Sequence, residues 1–237
     1  MISDRCILVT GASRGIGRAV CGRLLQGGGQ VIGVARRFDP ELELLPGFTP
    51  RRLDLADLDR LPAALQQLLA EHPAIDALVC NAGTGRFGAL EQFSADQVRG
   101  LVDLNLTSQI LLVRAFLPAL KRRGRGDIVF IGSEAARRGG RRGAVYAATK
   151  FALRGLAQSL REECASSGVR VGIVNPGMVL TSFFDDLDFR PDPDDACHLK
   201  PEDVAEAVLL MLEARAGAVI DEISLSPRKR VIRFSGG

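Results

Sequence analysis

Short apolar runs alternate with longer helix-like segments along most of this chain, and this alternation constrains the fold more than any other feature. The apolar, largely β-branched runs occupy residues 6–9, 31–34, 77–80, 128–131 and 169–174. After the first run, Ile16, Ala19, Val20 and Leu24 recur at helical spacing and form one apolar stripe. Near-continuous apolar strands separated by helices are typical of parallel sheets that are covered on both faces. We therefore predict a three-layer α/β fold with a doubly wound parallel sheet.

Length and the remaining patterns predict a single domain over residues 1–237. A chain of 237 residues with 46% hydrophobic composition can bury one large core. Further helices are predicted at residues 57–71 and 202–214, a third strand at 52–53 and a last strand at 219–225. A capping-box pattern, Ser94 followed by Gln97, marks the start of another long helix.

Charge and cysteine content exclude several classes of protein. The net charge of +3 argues against a protein that mainly coats nucleic acid or a membrane. The five cysteines are odd in number, widely spaced and lack a C-x-x-C pair, so we expect free thiols and no metal site. No continuous apolar run approaches the length of a membrane span, and the N-terminus does not resemble a secretory signal. We expect a cytoplasmic protein.

A glycine-rich turn between the first strand and the first helix predicts dinucleotide binding. Glycines at positions 11, 15 and 17 allow a sharp turn and close approach of the backbone to a pyrophosphate. The phosphate charge would then lie at the positive end of the helix dipole. We predict that Gly11, Ser13, Arg14, Gly15, Ile16 and Gly17 bind the cofactor in a Rossmann-like fold.

The end of the second strand favours NADP(H) over NAD(H). An NAD-preferring site places an acidic residue there to bind the adenosine ribose. Here the strand is followed by Arg36 and Arg37. Together with Arg14, these guanidinium groups are suited to bind a 2′-phosphate, although exposed arginines are common in this chain.

The stretch from Ser133 to Lys150 holds the residues best suited to proton transfer. Ser133 follows an apolar strand, and Tyr146 and Lys150 are four residues apart, on one face of a predicted helix. A nearby ammonium lowers the pKa of a phenol and makes it a better acid/base group. Taken alone, such a pair is more often found on a protein surface.

Several motifs in register resemble the short-chain dehydrogenase/reductase family, in its short single-domain branch. They are the glycine turn, Asn81-Ala82-Gly83, Asn105, Ser133, Tyr146 with Lys150, and Asn175-Pro176-Gly177 with Thr181. The resemblance implies an NADP(H)-dependent enzyme that transfers a hydride between the nicotinamide and a carbonyl or secondary alcohol. It also implies a homodimer or homotetramer.

The same resemblance assigns roles to individual residues. Tyr146 would exchange the proton, Ser133 would bind the developing oxyanion, and Lys150 would hold the nicotinamide ribose. Asn105 would disturb its helix locally and hold a water that links Lys150 to solvent. From the sequence alone, a polar residue satisfied within a helix is a nearly equal alternative. Further cofactor contacts are implied for Asp54, Leu55, Asn81, Ala82, Gly83, Pro176, Gly177, Val179 and Thr181.

Two charged segments flank the predicted pocket. Residues 181–200, rich in phenylalanine and aspartate, resemble the mobile substrate lid of the family. The loop 137–142 carries four arginines, which would either recruit an acidic substrate or bind the acidic lid. The basic tail 228–234 is expected to pack at a subunit interface or to stay mobile.

Three other functions are possible from the sequence. A hydrolase is disfavoured because G-x-S-x-G is absent, and an extended epimerase because the chain is short. A dinucleotide-sensing or RNA-binding Rossmann protein without turnover is the main alternative. Such a protein need not retain the serine, tyrosine and lysine together.

Overall fold

The computed structural model describes residues 1–234, so the last three residues of the predicted domain lie outside the described residues. The nine strands are β1 (Cys6–Thr10), β2 (Gln30–Ala35), β3 (Phe48–Arg52), β4 (Ala77–Cys80), β5 (Gly126–Ile131), β6 (Val169–Pro176), β7 (Phe189–Pro191), β8 (Glu222–Leu225) and β9 (Ile232–Phe234). The seven helices are α1 (Gly15–Gln26), α2 (Pro40–Glu43), α3 (Leu61–Glu71), α4 (Ala95–Val102), α5 (Ser108–Arg123), α6 (Ala144–Cys164) and α7 (Pro201–Glu213). A π-helical turn, Asp103–Thr107, joins α4 to α5.

Seven of the strands form one parallel sheet in the order β3-β2-β1-β4-β5-β6-β8. The strand order reverses between β1 and β4, and ligands of doubly wound sheets bind at such a switch point. The predicted three-layer Rossmann-like fold is confirmed.

Alternate residues of the central strands feed two separate hydrophobic cores. In β1, Ile7 and Val9 belong to the core beneath α1 and α7, whereas Leu8 belongs to the core beneath α3, α5 and α6. All five residues of β1 are buried. This double burial explains why the strand lacks the polar alternation of a half-exposed strand.

The prediction was wrong about the extent of the third strand. We placed it at residues 52–53, and it covers Phe48–Arg52. The sequence of β3 contains Pro50 and two arginines, so it does not read as an apolar run. Proline is tolerated there because β3 is an edge strand, where an N–H need not donate to a neighbour.

An ion network ties the amino ends of the central strands together, at the edge of the sheet opposite the switch point. Arg5 Nη2 lies 2.7 Å from Asp127 Oδ2, and Arg5 Nε lies 2.9 Å from Asp76 Oδ1. Arg170 Nε lies 2.6 Å from Asp127 Oδ1. Both aspartates are buried, so each depends on these partners to offset the cost of desolvation.

The C-terminal tail pairs with another segment of its own chain, and its packing at a subunit interface or its mobility stays a prediction. Strand β9 pairs with β7 in an antiparallel ribbon, with Phe189 opposite Phe234 and Pro191 opposite Ile232. The tail therefore folds back on segment 181–200 of its own chain.

One helical run, Ala95–Arg123, is long and apolar enough to cross a membrane by length and composition. We had noted only that no continuous apolar run reaches that length. Leu112, Val113, Phe116 and Leu120 of this run are buried in the core of the domain. A core helix passes the same composition test, so the finding is weak evidence for a membrane span.

Candidate functional site

The carboxyl ends of β1 and β4 are joined by hydrogen bonds that fix the glycine turn. The Thr10 hydroxyl accepts from the backbone N–H groups of Asn81 and Ala82, each at 3.0 Å. The Asn81 side-chain amide donates to the carbonyl of Thr10 at 2.9 Å. Asn81 therefore positions the turn, in addition to facing the cavity described below.

Close packing explains two of the glycines in the turn. Gly11 has a φ of +65°, in the left-handed region that disfavours a side chain. A Cβ atom at Gly17 would lie 2.1 Å from the carbonyl oxygen of Gly11. The start of α1 therefore packs directly on the turn, and its N–H groups face the space above the sheet.

A cavity of about 1620 Å³ extends across the carboxyl edge of the sheet. Most of the predicted site residues line it: Gly11, Ser13, Arg14, Gly15, Ile16, Arg36, Asp54, Leu55, Asn81, Ala82, Gly83, Ser133, Tyr146, Lys150, Pro176, Gly177, Val179 and Thr181. Gly17, Arg37 and Asn105 do not line it. Gly17 and Asn105 are buried beneath the residues that line the cavity, whereas Arg37 is exposed to solvent outside it.

The glycine end of the cavity fits a dinucleotide phosphorylated on its adenosine ribose. Arg14 and Arg36 line this end, are exposed, and form no ion pair within residues 1–234. The neighbouring Arg18 differs, because it binds Asp39 at 3.1 Å. Two guanidinium groups without acidic partners beside a glycine turn suit a phosphate group. Arg37, which we also predicted to bind the cofactor, is exposed and does not line the cavity.

The other end of the cavity brings together Ser133, Tyr146 and Lys150. Ser133 follows β5, and its backbone N–H donates to Asn175 Oδ1 at 3.3 Å, which ties β5 to β6. Lys150 is 6% exposed and donates from Nζ to the carbonyl of Ile131 at 3.0 Å. Its Nζ lies 5.7 Å from the centre of the Tyr146 ring. The serine, phenol and ammonium thus meet at one place, as the spacing predicted.

The pKa of Tyr146 differs from our expectation. We expected the Lys150 ammonium to lower it, but burial raises the pKa of Tyr146 to about 12. The Ser133 hydroxyl opposes this rise and the Glu134 carboxylate adds to it. Burial also lowers the pKa of Lys150 to about 8, because desolvation penalises its charge. Desolvation is therefore the main influence on both pKa values.

Asn105 lies in the π-helical turn Asp103–Thr107, as its implied role requires. Such turns inside α-helices are frequent at functional sites. Its side chain is fully buried and is bound by protein atoms on both sides. Oδ1 accepts from Thr84 N at 2.8 Å, and Nδ2 donates to Thr84 O at 2.9 Å and to Thr149 Oγ1 at 3.3 Å. Its side chain thus anchors the loop after β4 to helix α6.

One residue of the arginine loop binds segment 181–200. Arg142 Nη1 lies 2.7 Å from Asp188 Oδ2. The Arg142 backbone, at a φ of +63°, accepts a hydrogen bond from Gly88 N at 2.7 Å. Arg138 and Arg141 line the cavity and form no ion pair in the described part of the chain. One contact expected between loop and segment is therefore present, and two basic groups remain free to meet solvent or substrate.

Sequence reasoning missed the aromatic side chains that surround Tyr146. The Phe87 ring centre lies 5.1 Å from that of Tyr146, and the Phe183 ring centre lies 6.1 Å from it. Phe189 and Phe184 extend this group at 5.0 Å from Phe87 and 5.2 Å from Phe183. The phenylalanines of segment 181–200 were visible in the sequence, but nothing in it indicated that Phe87 would join them.

Comparison with known proteins agrees with this geometry. The sequence profile of the short chain dehydrogenase family matches residues 5–190. An NADP-dependent 3-hydroxy acid dehydrogenase of Schizosaccharomyces pombe is 30% identical, over 95% of this chain and 93% of its own length. A sepiapterin reductase of Chlorobaculum tepidum is 31% identical, over 93% of this chain and 95% of its own length. An alcohol dehydrogenase from Thermococcus sibiricus, solved in complex with 5-hydroxy-NADP, is 29% identical in sequence to this chain. The two structures match with a TM-score of 0.85, over 96% of this chain and 98% of that one.

Proposed function

This chain belongs to the short-chain dehydrogenase/reductase family and is an NADP(H)-dependent oxidoreductase acting on a CH–OH or carbonyl group, and we propose that Tyr146 is its acid/base residue. The observation that carries the proposal is the convergence of Ser133, Tyr146 and Lys150 in the cavity that begins at the glycine turn. The alternative of a sensor or RNA-binding protein without turnover is not favoured, because it does not require this convergence.

The reaction needs a proton and a stabilised oxygen at the substrate carbonyl. Bound NADPH supplies the hydride. Tyr146 is protonated at neutral pH, since burial raises its pKa to about 12, and it can donate to the carbonyl oxygen. The Ser133 hydroxyl is a second donor to that oxygen. Lys150 supplies positive charge behind the phenol below pH of about 8, and this charge favours the phenolate left after donation.

The cofactor residues have separate tasks. The N–H groups at the start of α1 and the Gly11 turn would hold the pyrophosphate. Arg14 and Arg36 would bind the 2′-phosphate. Asp54 and Leu55 would bind the adenine, and Thr181 the carboxamide.

Selectivity for the 2′-phosphate can be tested with neighbouring arginines. Arg36→Ala removes a charge-assisted hydrogen bond at an exposed site, which we expect to raise the Kd for NADPH roughly tenfold. The Kd for NADH should not change. Arg37→Ala is the matched control, because Arg37 lies outside the cavity. An equal loss of NADPH affinity in Arg36→Ala and Arg37→Ala would contradict the assignment of Arg36 to the 2′-phosphate.

The activity itself is tested by NADPH oxidation with a panel of aldehydes and ketones. We expect turnover of at least one member by the wild type. RNA retention that falls steeply with salt, without oxidation of any carbonyl compound, would support the alternative instead.

We further propose that residues 181–200 are the substrate lid of a single domain. The contact between Arg142 and Asp188, which joins this segment to the arginine loop, supports the proposal.

We also propose a cytoplasmic location, which is supported by the five cysteines, all free and buried. A homodimer or homotetramer is supported by exposed Ile110 on α5 and Phe151 on α6. Size-exclusion chromatography with light scattering tests the assembly.

A further inference from the structure

We propose that the C-terminal segment 228–234 completes the substrate pocket and makes the enzyme selective for carbonyl compounds with a bulky apolar body. The inference rests on the proposed function and adds the substrate class. The two curated relatives described above have different substrates in their names, so this chain's own pocket must decide its substrate.

Aromatic side chains form one wall of the pocket beside Tyr146, and charged side chains such as Glu134 and Arg142 also line the cavity. Phe87 and Phe183 flank Tyr146, and Phe189 packs edge-on against Phe87 with an interplanar angle of 85°. A Cβ atom at Gly85 would lie 2.2 Å from Phe183 Cζ, so the Phe183 ring occupies the space that any larger residue would need. The Phe183 ring thus packs directly against the Gly85 backbone. Ser133 and Tyr146 therefore lie beside an aromatic wall, against which an apolar substrate body can pack.

The outer wall comes from the end of the chain. In the tail, Arg230, Ile232 and Phe234 line the cavity, whereas Val231 and Arg233 do not. This alternation is the two-residue period of a strand. The Phe234 ring centre lies 6.4 Å from that of Phe189, directly across the ribbon. Phe234 is 63% exposed, so part of its ring remains available to contact a ligand.

Ion pairs fasten this wall to segment 181–200. Arg233 Nε lies 2.6 Å from Asp192 Oδ2, and Lys229 Nζ lies 3.1 Å from Asp194 Oδ2. Two backbone hydrogen bonds join the tail to segment 181–200, from Lys229 N to Ala196 O at 2.7 Å and from Asp192 N to Val231 O at 3.2 Å. The pairs are exposed and therefore sensitive to salt. We call these four contacts the tail clasp.

The substrate class follows from what such a wall can stabilise. An aromatic or branched aliphatic body gains free energy by covering the apolar rings, and a small aldehyde does not reach the outer wall. Loss of the wall should therefore reduce kcat/KM for bulky substrates and leave small ones unchanged.

The test compares 2-acetylnaphthalene with butanone in wild-type protein, Ile232→Ala, Phe234→Ala and Val231→Ala. We expect Phe234→Ala to lower kcat/KM for 2-acetylnaphthalene about tenfold, with butanone unchanged within about twofold. Val231→Ala is the matched control, because Val231 directly precedes Ile232 and does not line the cavity. We expect the wild type to prefer the larger ketone.

A second variant separates the wall from general damage to the fold. Replacing Lys229 and Arg233 with alanine removes both ion pairs of the tail clasp and keeps the apolar side chains. We expect faster hydrogen exchange at residues 189–191, a higher KM for 2-acetylnaphthalene and an unchanged Kd for NADPH.

Three results with these two ketones would overturn the inference. They are a parallel loss for both ketones in Phe234→Ala, an equal effect of Val231→Ala, and a wild-type preference for butanone. A preference for carboxylate-bearing ketones over neutral ketones of equal size would also overturn it, and would assign Arg138 and Arg141 to substrate binding. If neither ketone nor any other carbonyl compound oxidises NADPH, the proposed function fails instead.

Discussion

Two glycines in helix α1 provide a sharp test of how the cofactor turn is built. Gly17 and Gly22 lie in the same helix and carry the same intrinsic penalty, about 1 kcal/mol relative to alanine in a helix. Their surroundings differ. A Cβ atom at Gly22 meets nothing within 4 Å, whereas one at Gly17 would lie 2.1 Å from Gly11 O.

The structure sets the size of the expected effects. Gly22→Ala should stabilise the protein by about 1 kcal/mol, which raises the Tm of a chain this long by about 2–4 °C. Gly17→Ala gains the same helix propensity but forces the helix and the turn apart. Real Cβ contacts essentially never fall below 3.0 Å, so the separation must grow by about 0.9 Å. Overpacking of this kind costs about 1–3 kcal/mol, and each hydrogen bond to the pyrophosphate that the displaced turn loses costs a further about 1.5–3 kcal/mol of binding free energy.

The assay is thermal unfolding together with NADPH titration for both variants. We expect Gly17→Ala to be less stable than Gly22→Ala and to bind NADPH about 10- to 100-fold more weakly than the wild type, the loss of one such hydrogen bond. Gly22→Ala should bind with unchanged affinity. The reasoning is refuted if Gly17→Ala retains wild-type affinity, or if the two variants weaken binding equally.

Three further predictions follow from burial. Tyr146 is the only tyrosine and the chain has no tryptophan, so tyrosinate absorbance should report a single pKa of about 12. Glu134→Gln should lower this pKa, because the Glu134 carboxylate helps to raise it. A wild-type pKa below 10, the ordinary value, would contradict the assigned burial. The pKa of Lys150, about 8, lies below its ordinary 10.5, so the unfolded chain binds more protons between these values and wild-type stability rises there. In urea unfolding at pH 7, Lys150→Met should therefore be more stable than the wild type by about 2 kcal/mol, a figure that allows for the lost hydrogen bond to Ile131 O. This difference should vanish near pH 10.5, and a difference that does not change with pH would contradict the assigned burial of Lys150. Asp127→Ala should lower the free energy of unfolding by about 3 kcal/mol, because Arg5 and Arg170 lose a buried partner. The Kd for NADPH should not change, and a parallel loss of affinity would show that the ion network also supports the site.

The sequence was sufficient for the parts of the molecule that depend on local pattern. Apolar runs predicted the interior strands because β1, β4 and β5 are buried on both faces. The glycine turn was recognisable because its spacing reflects contacts within a few residues. Strand β3 was misplaced because an edge strand tolerates proline and charge.

Features that depend on distant contacts were beyond sequence reasoning. The pairing of β7 with β9 joins residues about forty positions apart, and neither segment carries an apolar strand pattern. The place of Phe87 beside Tyr146 depends on a loop held by Arg142 O and Gly88 N. The pKa of Tyr146 was misjudged because the sequence shows the Lys150 spacing but not how much water the core excludes.

The central claim is that the Tyr146 hydroxyl supplies the proton at the carbonyl oxygen. The direct measurement is single-turnover oxidation of NADPH by wild-type protein and by Tyr146→Phe, at saturating substrate, after the Kd for NADPH has been measured for both. We predict that Tyr146→Phe binds NADPH with unchanged affinity and reacts at least about 1,000 times more slowly, toward the upper part of the range for loss of a positioned acid. A single-turnover rate within a few-fold of the wild type would contradict the account.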